Sequence, residues 1–410
     1  MYKIRYYFTT FELTRGLTVA LLASAFIYLQ YYGLTYPLLN TLCGILAFYL
    51  LLNASAKIWF VSGAFIGLFW FYWIALSLIH YKMLWAVPLE ILLLMLMYGT
   101  LFGTIAKISH KLPPPYSLIL KALGLLSLSY IHPFGFDWFK PELVFIDSYI
   151  GITKWQFALV LLAIVLRFWQ KNITYLLLIL FAYQSPQTNN TTIPPNIALI
   201  STYTSVQDKW DTQLHTAQFE AIFTDIDHAI DSNKSLIIFP ESIIPLFLNR
   251  YPALLDRLQA KAQDISIVIG ALYWDGDSPK NSSYIFTKNQ IQIASKVILV
   301  PFGESNPLPD FLSDWVNKVF YDGSIDYQAS TQVIDYQIDG ITYRNAICFE
   351  ATSEKLYEGN PQNMIVISNN GWFTPSIEPT LQKLLLRYYH QKYGTNIYHA
   401  INMSQSYVIL

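Results

Sequence analysis

The sequence contains few charged residues for its length. Asp, Glu, Lys and Arg make up 13% of the 410 residues, while hydrophobic residues make up 54%. Soluble domains average about 25% charged residues. This shortage excludes a chain that is water-soluble throughout and indicates that part of it lies in a lipid bilayer.

Two further absences limit the function. The formal net charge is −1, and because binding to phosphates needs a basic face, nucleic acid is not expected as a partner. The cysteines are Cys43, in an apolar run, and Cys348. A disulfide between them is not expected, and neither has the spacing of a metal ligand.

The charges are unevenly divided along the chain. Residues 1–185 contain 12 Lys and Arg against 5 Asp and Glu, whereas the remainder contains 14 against 22. The apolar, basic first part and the mixed second part therefore suit different surroundings. The basic, aromatic start over 1–15 runs directly into an apolar span, which is typical of an uncleaved membrane anchor.

Apolar runs predict a bundle of about seven transmembrane helices over residues 1–185, because a helix needs about 20 apolar residues to cross a bilayer. The clear candidates are 16–34, 36–53, 58–79 and 86–106, and the weaker ones are 115–132, 156–169 and 172–184. Lys121 lies one turn into the fifth run, and its ammonium group is expected to extend to the surface. The last two runs are short enough to form a re-entrant hairpin instead.

The basic residues set the predicted orientation. With the N-terminus in the cytoplasm, most of them fall on the cytoplasmic side, as the positive-inside rule requires. These are Lys3, Arg5, Arg15, Lys57, Lys107, Lys111, Arg167 and Lys171. Seven crossings, or two fewer with the hairpin, place everything after residue 185 outside the cytoplasm.

Residues 186–195 are polar and rich in proline, and they predict a linker. Strand-like and helix-like runs then alternate over 196–410, which predicts an α/β layered domain. The strand-like runs are 196–201, 235–239, 266–273, 283–287, 291–300, 332–338, 345–349 and 364–368, and the helix-like runs are 212–231, 251–263, 308–319 and 377–393. Two apolar segments, 243–248 and 315–321, suit either the core or contact with lipid, and the core is favoured.

Three short segments carry reactive side chains at or just past predicted strand ends, where sheet proteins place catalytic groups. Glu241 follows the apolar run Leu-Ile-Ile-Phe-Pro. Lys296 lies inside an apolar run, and a Pro-Phe-Gly turn then presents Glu304. Cys348 ends the run Asn-Ala-Ile and precedes Phe-Glu. Each alone has an ordinary interpretation: a solvated loop glutamate, a lysine on an exposed strand face, or a small buried cysteine.

Taken in order, Glu241, Lys296 and Cys348 resemble the Glu–Lys–Cys triad of the nitrilase superfamily. Their contexts, Phe-Pro-Glu, Lys-x-x-x-x-Pro-Phe-Gly-Glu and Ile-Cys-Phe-Glu, resemble the apolipoprotein N-acyltransferase family in particular. The segment Ser-Asn-Asn-Gly-Trp-Phe at 368–373 is similar to that family's Ser-Asn-Asp-x-Trp-Phe. The resemblance covers both halves, and it implies a polytopic α-helical membrane bundle followed by a nitrilase-like α/β domain, a four-layer αββα sandwich.

The residue types fit the roles that the resemblance implies. A thiol has a pKa of about 8.5, so a carboxylate nearby is needed to take its proton. Glu241 is therefore the expected general base, Cys348 the nucleophile and Lys296 the group that stabilises the oxyanion. By resemblance, Glu304 positions the base and the lysine. Two weaker expectations are that Glu350 shapes the pocket beside the thiol and that Trp372 forms its wall.

The implied reaction has two steps and needs no metal or other cofactor. Cys348 takes an acyl chain from a phospholipid as a thioester, and the N-terminal amine of an S-diacylglyceryl-cysteine apolipoprotein then accepts it as an amide. The expected partners are therefore the phospholipid donor, the apolipoprotein acceptor and the lipid bilayer. The expected location is the bacterial inner membrane, with the catalytic domain on the periplasmic side.

The sequence departs from the family at its C-terminal end. The family's Thr-Asn-x-Gly is here Ile-Asn-Met-Ser over 401–404, and Thr374-Pro375 follows Trp-Phe. The family usually adds strands and a transmembrane helix after this point, so the second domain is expected to be short. Three alternatives stay open: a membrane-anchored nitrilase-type amidase, a non-catalytic domain that binds lipid or a partner, and a transporter. Transport paths usually contain ionisable residues, and the predicted spans contain few of them, which argues against a transporter.

Overall fold

The structure, a computed structural model, describes residues 8–186, 191–305 and 327–410. The described residues form two compact units. The first contains 8–132, 137–186 and 375–388, and the second contains 133–136, 191–305, 327–374 and 389–410. The predicted boundaries, with a bundle over 1–185, a linker over 186–195 and a second domain over 196–410, stay a prediction. The units differ from them by exchanging the two short segments 133–136 and 375–388.

The first unit is built from apolar helices. They are α1 (Thr10–Tyr31), α2 (Pro37–Leu52), α3 (Ala56–Phe71), α4 (Val87–Ser109), α5 (Tyr116–Ser127) and α6 (Lys154–Trp169), with a helical extension of α3 over Tyr72–His80 and a 3-10 helix over Ile173–Ala182. Side-chain caps begin several of them, including α1 and α3. Thr9 and Glu12 form a reciprocal capping box at α1, and Ser55 accepts from the Ile58 N–H at α3.

Among the described residues, four helical stretches are long and apolar enough to cross a membrane. They are Thr10–Tyr31, Ala56–His80, Leu84–Ser109 and Tyr116–Gly135, and Pro37–Leu52 and Ile173–Ala182 are shorter apolar helices. The candidate runs near 16, 58, 86 and 115 therefore correspond to long helices. The total of seven crossings and the outward orientation stay predictions.

Lys121 does not extend to the surface as expected. It is buried, and its Nζ donates to the carbonyl oxygens of Leu52 at 3.2 Å and Ala54 at 2.7 Å. These carbonyls lie at and just past the C-terminal end of α2, where the last turn leaves acceptors unpaired. The ring of Trp59 lies 5.8 Å from the ammonium group. A helix end thus supplies the partners that water would otherwise provide.

A buried carboxylate explains why residues 375–388 belong to the first unit. Glu142 is fully buried, pairs with Lys154 at 2.6 Å and accepts hydrogen bonds from Ser129 at 2.6 Å and Tyr388 at 2.9 Å. The neighbouring Arg387 forms an ion pair with Asp147. Buried charges need such partners, so these contacts hold the segment within this unit.

The second unit contains two mixed β-sheets. Its strands are β1 (Ile197–Leu199), β2 (Ser201–Thr202), β3 (Leu236–Ile238), β4 (Ile244–Phe247), β5 (Ser266–Trp274), β6 (Pro279–Phe286), β7 (Ile291–Ser295), β8 (Asp335–Ile338), β9 (Ile341–Ile347), β10 (Asn363–Asn369), β11 (Asn396–Asn402) and β12 (Tyr407–Ile409). Its helices are α7 (Val206–Trp210), α8 (His215–Asp231) and α9 (Pro252–Lys261), and α10 (Glu378–Tyr393) is divided between the units. Short 3-10 turns follow β4, β9 and β10.

The described residues of each sheet form six strands. The first sheet has the order β1-β3-β5-β6-β7, with β4 also pairing with β5. The second has the order β12-β11-β10-β9-β8, with β2 pairing with β11. Strands β1, β3 and β5 run parallel, as do β9, β10 and β11. The carboxyl ends of neighbouring parallel strands therefore lie together in each sheet.

The two sheets pack face to face. One buried cluster combines Ile238 and Val268 of the first sheet with Ile347, Ile365 and other apolar residues of the second. The opposite face of the first sheet packs on α8 and α9 through residues such as Phe223 and Leu258. Both faces of the central strands of the first sheet are thus covered, which explains the continuous hydrophobic runs in β3 and β5. The predicted fold class, a membrane helical bundle followed by an α/β sandwich of stacked sheets, is confirmed.

Several predicted elements differ in detail. The run 291–300 is a strand only as far as Ser295, so Lys296 follows the strand instead of lying inside it. The segment 243–248 contains β4, with Ile244 and Leu248 buried, so the preference for the core is confirmed there. Strands β11 and β12 were not predicted. The predicted helix over 308–319 and the apolar segment 315–321 lie outside the described residues.

Candidate active site

Glu241 lies just past the carboxyl end of β3, in a turn that packs closely on the next strand. A Cβ atom on Gly270 of β5 would lie 2.5 Å from the Ser242 nitrogen and 2.7 Å from the Glu241 Cα and the Pro240 oxygen. Only a glycine leaves room for this approach. Ser242 itself has a φ of +46°, a conformation that turns the chain sharply. This local geometry directs the Glu241 side chain into the interior, where it is buried.

An asparagine joins the two predicted carboxylates. Asn281 Nδ2 lies 2.7 Å from Glu241 Oε1 and 2.9 Å from Glu304 Oε1, so it donates to both. The other oxygen of Glu304 lies 2.6 Å from Lys296 Nζ and also accepts from the Val300 N–H at 2.9 Å. Lys296 Nζ is 3.9 Å from Glu241 Oε1. The structure therefore brings Glu241, Lys296 and Glu304 into one hydrogen-bonded cluster.

Lys296 enters this cluster from the end of β7. Its N–H donates to the Asn281 carbonyl at 2.9 Å, which continues the β6–β7 ladder by one pair. Its side chain is 1% exposed. Burial alone lowers the pKa of Lys296, but the charges of Glu304, Glu241 and Cys348 outweigh burial and raise that pKa above its usual value. The ammonium group is thus held in its charged form.

For Glu241, in contrast to Lys296, burial has a larger effect on the pKa than the neighbouring cations have. Burial raises the pKa of Glu241, and the nearby Glu304 charge adds to the increase. Lys296, the Asn281 hydrogen bond and Lys209 lower this pKa, without cancelling the effect of burial. A carboxylate with a raised pKa is a better proton acceptor than an exposed one.

Cys348 begins a 3-10 turn directly after β9. Its φ is +54°, a left-handed conformation that a non-glycine residue rarely adopts and that costs about 1–3 kcal/mol. The turn ends the strand and leaves the side chain partly accessible. The thiol lies close enough to Lys296 and Lys209 to interact electrostatically with both ammonium groups. Cys348 therefore combines a rarely adopted backbone conformation, partial accessibility and two nearby ammonium groups.

Glu350 fixes the backbone around this turn. Its Oε1 accepts from the Ile347 N–H at 2.8 Å, and its Oε2 accepts from the N–H groups of Val297 at 2.7 Å and Ile298 at 3.1 Å. It thereby ties the residue before Cys348 to those after Lys296. Burial raises the pKa of Glu350 to about 7, against the opposing effects of Lys296 and the three N–H groups.

Trp372 lies in a short turn after β10, the strand that pairs in parallel with β9. It is half-buried. That it forms a wall of the pocket stays a prediction, as do the catalytic roles of Glu241, Lys296 and Cys348 and the supporting roles of Glu304 and Glu350.

Aromatic side chains flank the cluster. Phe136 stacks on Phe349, the residue after Cys348, with ring centroids 5.6 Å apart. Phe134 packs edge-on against Phe302, two residues before Glu304, at 5.4 Å. These contacts place aromatic surface beside residues that adjoin Cys348 and Glu304 in the chain.

Sequence reasoning missed two polar residues of this site. Asn281 lies on β6, in a polar stretch that precedes the predicted strand, and nothing in its context separates it from a surface asparagine. Lys209 lies on α7 beside Trp210 and has the sequence context of a solvated helix, yet it is buried. Its Nζ donates to the Glu241 carbonyl oxygen at 3.1 Å.

The arrangement suits nucleophilic acyl transfer. It combines a partly accessible thiol, a carboxylate with a raised pKa and an ammonium group whose pKa is also raised. Within 8–186, 191–305 and 327–410, no group of three His, Cys, Asp or Glu side chains could hold a metal ion. The expected independence from cofactors stays a prediction.

Both halves of the chain are similar to known proteins. Residues 10–187 match the model of the apolipoprotein N-acyltransferase integral membrane domain. An apolipoprotein N-acyltransferase of Wolinella succinogenes is 40% identical over 397 residues, which are 95% of this chain and 94% of that protein. One of Helicobacter pylori is 37% identical over 85% of this chain and 82% of its own, and one of Campylobacter jejuni is 32% identical over 98% and 90%.

Solved structures show lower similarity. A CN-hydrolase superfamily protein of Xanthomonas campestris is 13% identical, with a TM-score of 0.39, and covers 50% of this chain and 75% of its own. An amidase of Nesterenkonia sp. is 12% identical, with a TM-score of 0.38, and covers 54% of this chain and 83% of its own.

Proposed function

The chain belongs to the apolipoprotein N-acyltransferase family, and we propose that it transfers an acyl chain from a phospholipid to the N-terminal amine of S-diacylglyceryl-cysteine apolipoproteins. The observation that carries the proposal is the buried cluster of Glu241, Lys296, Glu304 and Asn281 beside the Cys348 turn. Cys348 is the nucleophile, Glu241 the general base and Lys296 the oxyanion partner.

In the first step, Cys348 Sγ attacks the ester carbonyl carbon of the phospholipid while Glu241 takes the thiol proton. The electron pair of the carbonyl moves to its oxygen, and Lys296 stabilises the resulting negative charge. The carbon–oxygen ester bond then breaks, and Glu241 returns its proton to the leaving glycerol oxygen. The products are a lysophospholipid and a thioester on Cys348.

In the second step, the α-amine of the apolipoprotein attacks the thioester carbonyl. Glu241 accepts a proton from the amine, the carbon–sulfur bond breaks, and the proton returns to the thiolate of Cys348. An amide is lower in energy than a thioester, so transfer to the amine is favourable. No nucleotide or metal takes part in either step.

The supporting residues act by holding these three groups in place. Glu304 accepts from Asn281 and pairs with Lys296, so it fixes both partners of Glu241. Glu350 fixes the backbone on either side of Lys296 and Cys348. The aromatic pairs at Phe349 and Phe302 offer surface for the acyl chain. The site is proposed to face the periplasm of a bacterial inner membrane.

The test is transfer from phospholipid with a labelled acyl chain to a diacylglyceryl-cysteine peptide, using the full chain in detergent. We expect labelled amide with the wild type and with Cys43→Ser, and none with Cys348→Ser. Glu241→Gln is expected to reduce the rate by about 10²–10⁴-fold. Release of free labelled fatty acid with no amide would favour a hydrolase instead, and full activity of Cys348→Ser would exclude the thioester route.

A further inference from the structure

Lys209 is a buried cation that the proposed mechanism does not use. It lies on α7, is 3% exposed, and donates through Nζ to the Glu241 carbonyl oxygen at 3.1 Å. Among the described residues, no carboxylate oxygen lies within 4.0 Å of this ammonium group. Burying a lysine without an ion pair costs free energy. The position of Lys209 beside Glu241 and Cys348 therefore indicates a function at this site.

The charges that act on Lys209 come from the reactive groups. Glu241 at the end of β3 and Cys348 after β9 both interact electrostatically with its ammonium group. Burial lowers the pKa of Lys209 to about 8, although both of these groups act in the opposite direction. Lys296, the other cation of the cluster, is engaged with Glu304 at 2.6 Å.

We propose that Lys209 is a positioning residue that fixes the Glu241 turn and electrostatically favours ionisation of the Cys348 thiol. This inference rests on the roles proposed above for Glu241 and Cys348. When the proton passes from Cys348 to Glu241, one negative charge moves from the carboxylate to the sulfur. Lys209 acts on the sulfur as well as on the carboxylate, so the thiolate of Cys348 forms beside a cation and ionises more readily than it would beside a neutral residue.

Two effects of Lys209 are separable by substitution. Its hydrogen bond to the Glu241 carbonyl needs only a donor, whereas its effect on the thiol needs a positive charge. Lys209→Gln keeps a donor of similar length and removes the charge, and Lys209→Arg keeps the charge. Lys234→Gln is the matched control, because Lys234 also donates to a backbone carbonyl, that of Pro195 at 2.6 Å, but at an exposed position.

The experiment measures alkylation of Cys348 by iodoacetamide against pH, followed by mass spectrometry of its peptide, with no lipid substrate present. An opposite charge close to a titrating group shifts its pKa by about 1–3 units. We therefore expect Lys209→Gln to move the midpoint upward by about one pH unit or more and to slow alkylation at pH 7 by about 10-fold. Lys209→Arg and Lys234→Gln should keep a midpoint close to that of the wild type.

A wild-type midpoint in Lys209→Gln, or the same upward shift in Lys209→Arg as in Lys209→Gln, would overturn the role of the charge. Lys209→Met serves as a second neutral variant if Lys209→Gln does not fold. The proposed function fails separately. If Cys348 of the wild type resists alkylation, or if Glu241→Gln leaves the profile unchanged, the assigned nucleophile and base are wrong and this inference falls with them.

Discussion

At the scale of single residues, the site is a balance of buried charges. Glu241, Glu304 and Glu350 supply three carboxylates, and Lys296 and Lys209 supply two ammonium groups, all of them largely removed from water. Electrostatic interactions are strong in such surroundings. Each hydrogen bond to one of these carboxylates therefore has a measurable effect on the pH at which that carboxylate takes up a proton.

The sequence allowed most of these charged residues to be found, but not Lys209, and not their partner Asn281. Glu241, Lys296, Cys348 and Glu304 lie in short segments with recognisable neighbours. Asn281 and Lys209 do not, because the direction of each side chain depends on pairing between β6 and β7 and on the packing of α7. No local pattern encodes those contacts.

Asn281→Ala should change the pH dependence of acylation. The Asn281 hydrogen bond lowers the pKa of Glu241, although burial keeps that pKa raised. Glu241 must be deprotonated to act as a base, so activity is lost as pH falls through its pKa. Removing the hydrogen bond should move this acid limb to higher pH. The measurement is the rate of acyl-enzyme formation against pH, and Asn289→Ala, at an exposed position, is the control. An acid limb that is unchanged in Asn281→Ala would contradict the assignment of Glu241 as base.

At the scale of elements, prediction succeeded where apolar runs are continuous. Strands β3, β5 and β10 and helices α8 and α9 were predicted to within a few residues. For β3 and β5 the apolar runs are continuous because both faces of the first sheet are covered. Strand β9 begins four residues earlier than predicted. Asp339 and Gly340 both have positive φ and form a tight hairpin turn, so pairing with β8 recruits Ile341–Arg344, which are not apolar enough to indicate a strand alone.

Gly270 on β5 provides an element-scale test. A methyl group there would lie within 2.7 Å of the backbone at Glu241 and Pro240, so the turn must shift away from the strand. We expect Gly270→Ala to reduce acylation by about 10²-fold or more, since small displacements of a catalytic group cost that much. Ser266→Ala, at the start of the same strand, is the control. The measurement is the single-turnover acylation rate with the melting temperature alongside, and wild-type acylation in Gly270→Ala would contradict the packing described for this turn.

At the scale of the whole molecule, composition predicted an apolar membrane part followed by an α/β domain of mixed composition. The described residues form two compact units. The boundaries were less predictable. Residues 375–388 belong to the first unit through contacts such as Arg387 with Asp147 and Tyr388 with Glu142, which are separated by more than 200 positions. Such pairings follow from the folded arrangement and leave no signal in a local window.

The charge distribution also predicts which side of the membrane each part faces. A reporter cysteine at Asp277, in an exposed turn of the second unit, should react with a membrane-impermeant maleimide in intact cells. One at Lys111, exposed in the first unit, should react only after permeabilisation. Both Asp277→Cys and Lys111→Cys are made in a Cys43→Ser, Cys348→Ser background, whose own lack of labelling is the control. The reverse pattern would contradict the predicted orientation.

The proposed function depends above all on Cys348 carrying the acyl chain. The most direct measurement is intact and peptide mass spectrometry of the full chain in detergent after incubation with labelled phospholipid and no acceptor. We expect one acyl adduct on Cys348, released by hydroxylamine, chased to amide by a diacylglyceryl-cysteine peptide, and absent from Cys348→Ser. A folded wild-type protein that transfers the acyl chain without ever carrying it on Cys348 would exclude this residue as the nucleophile.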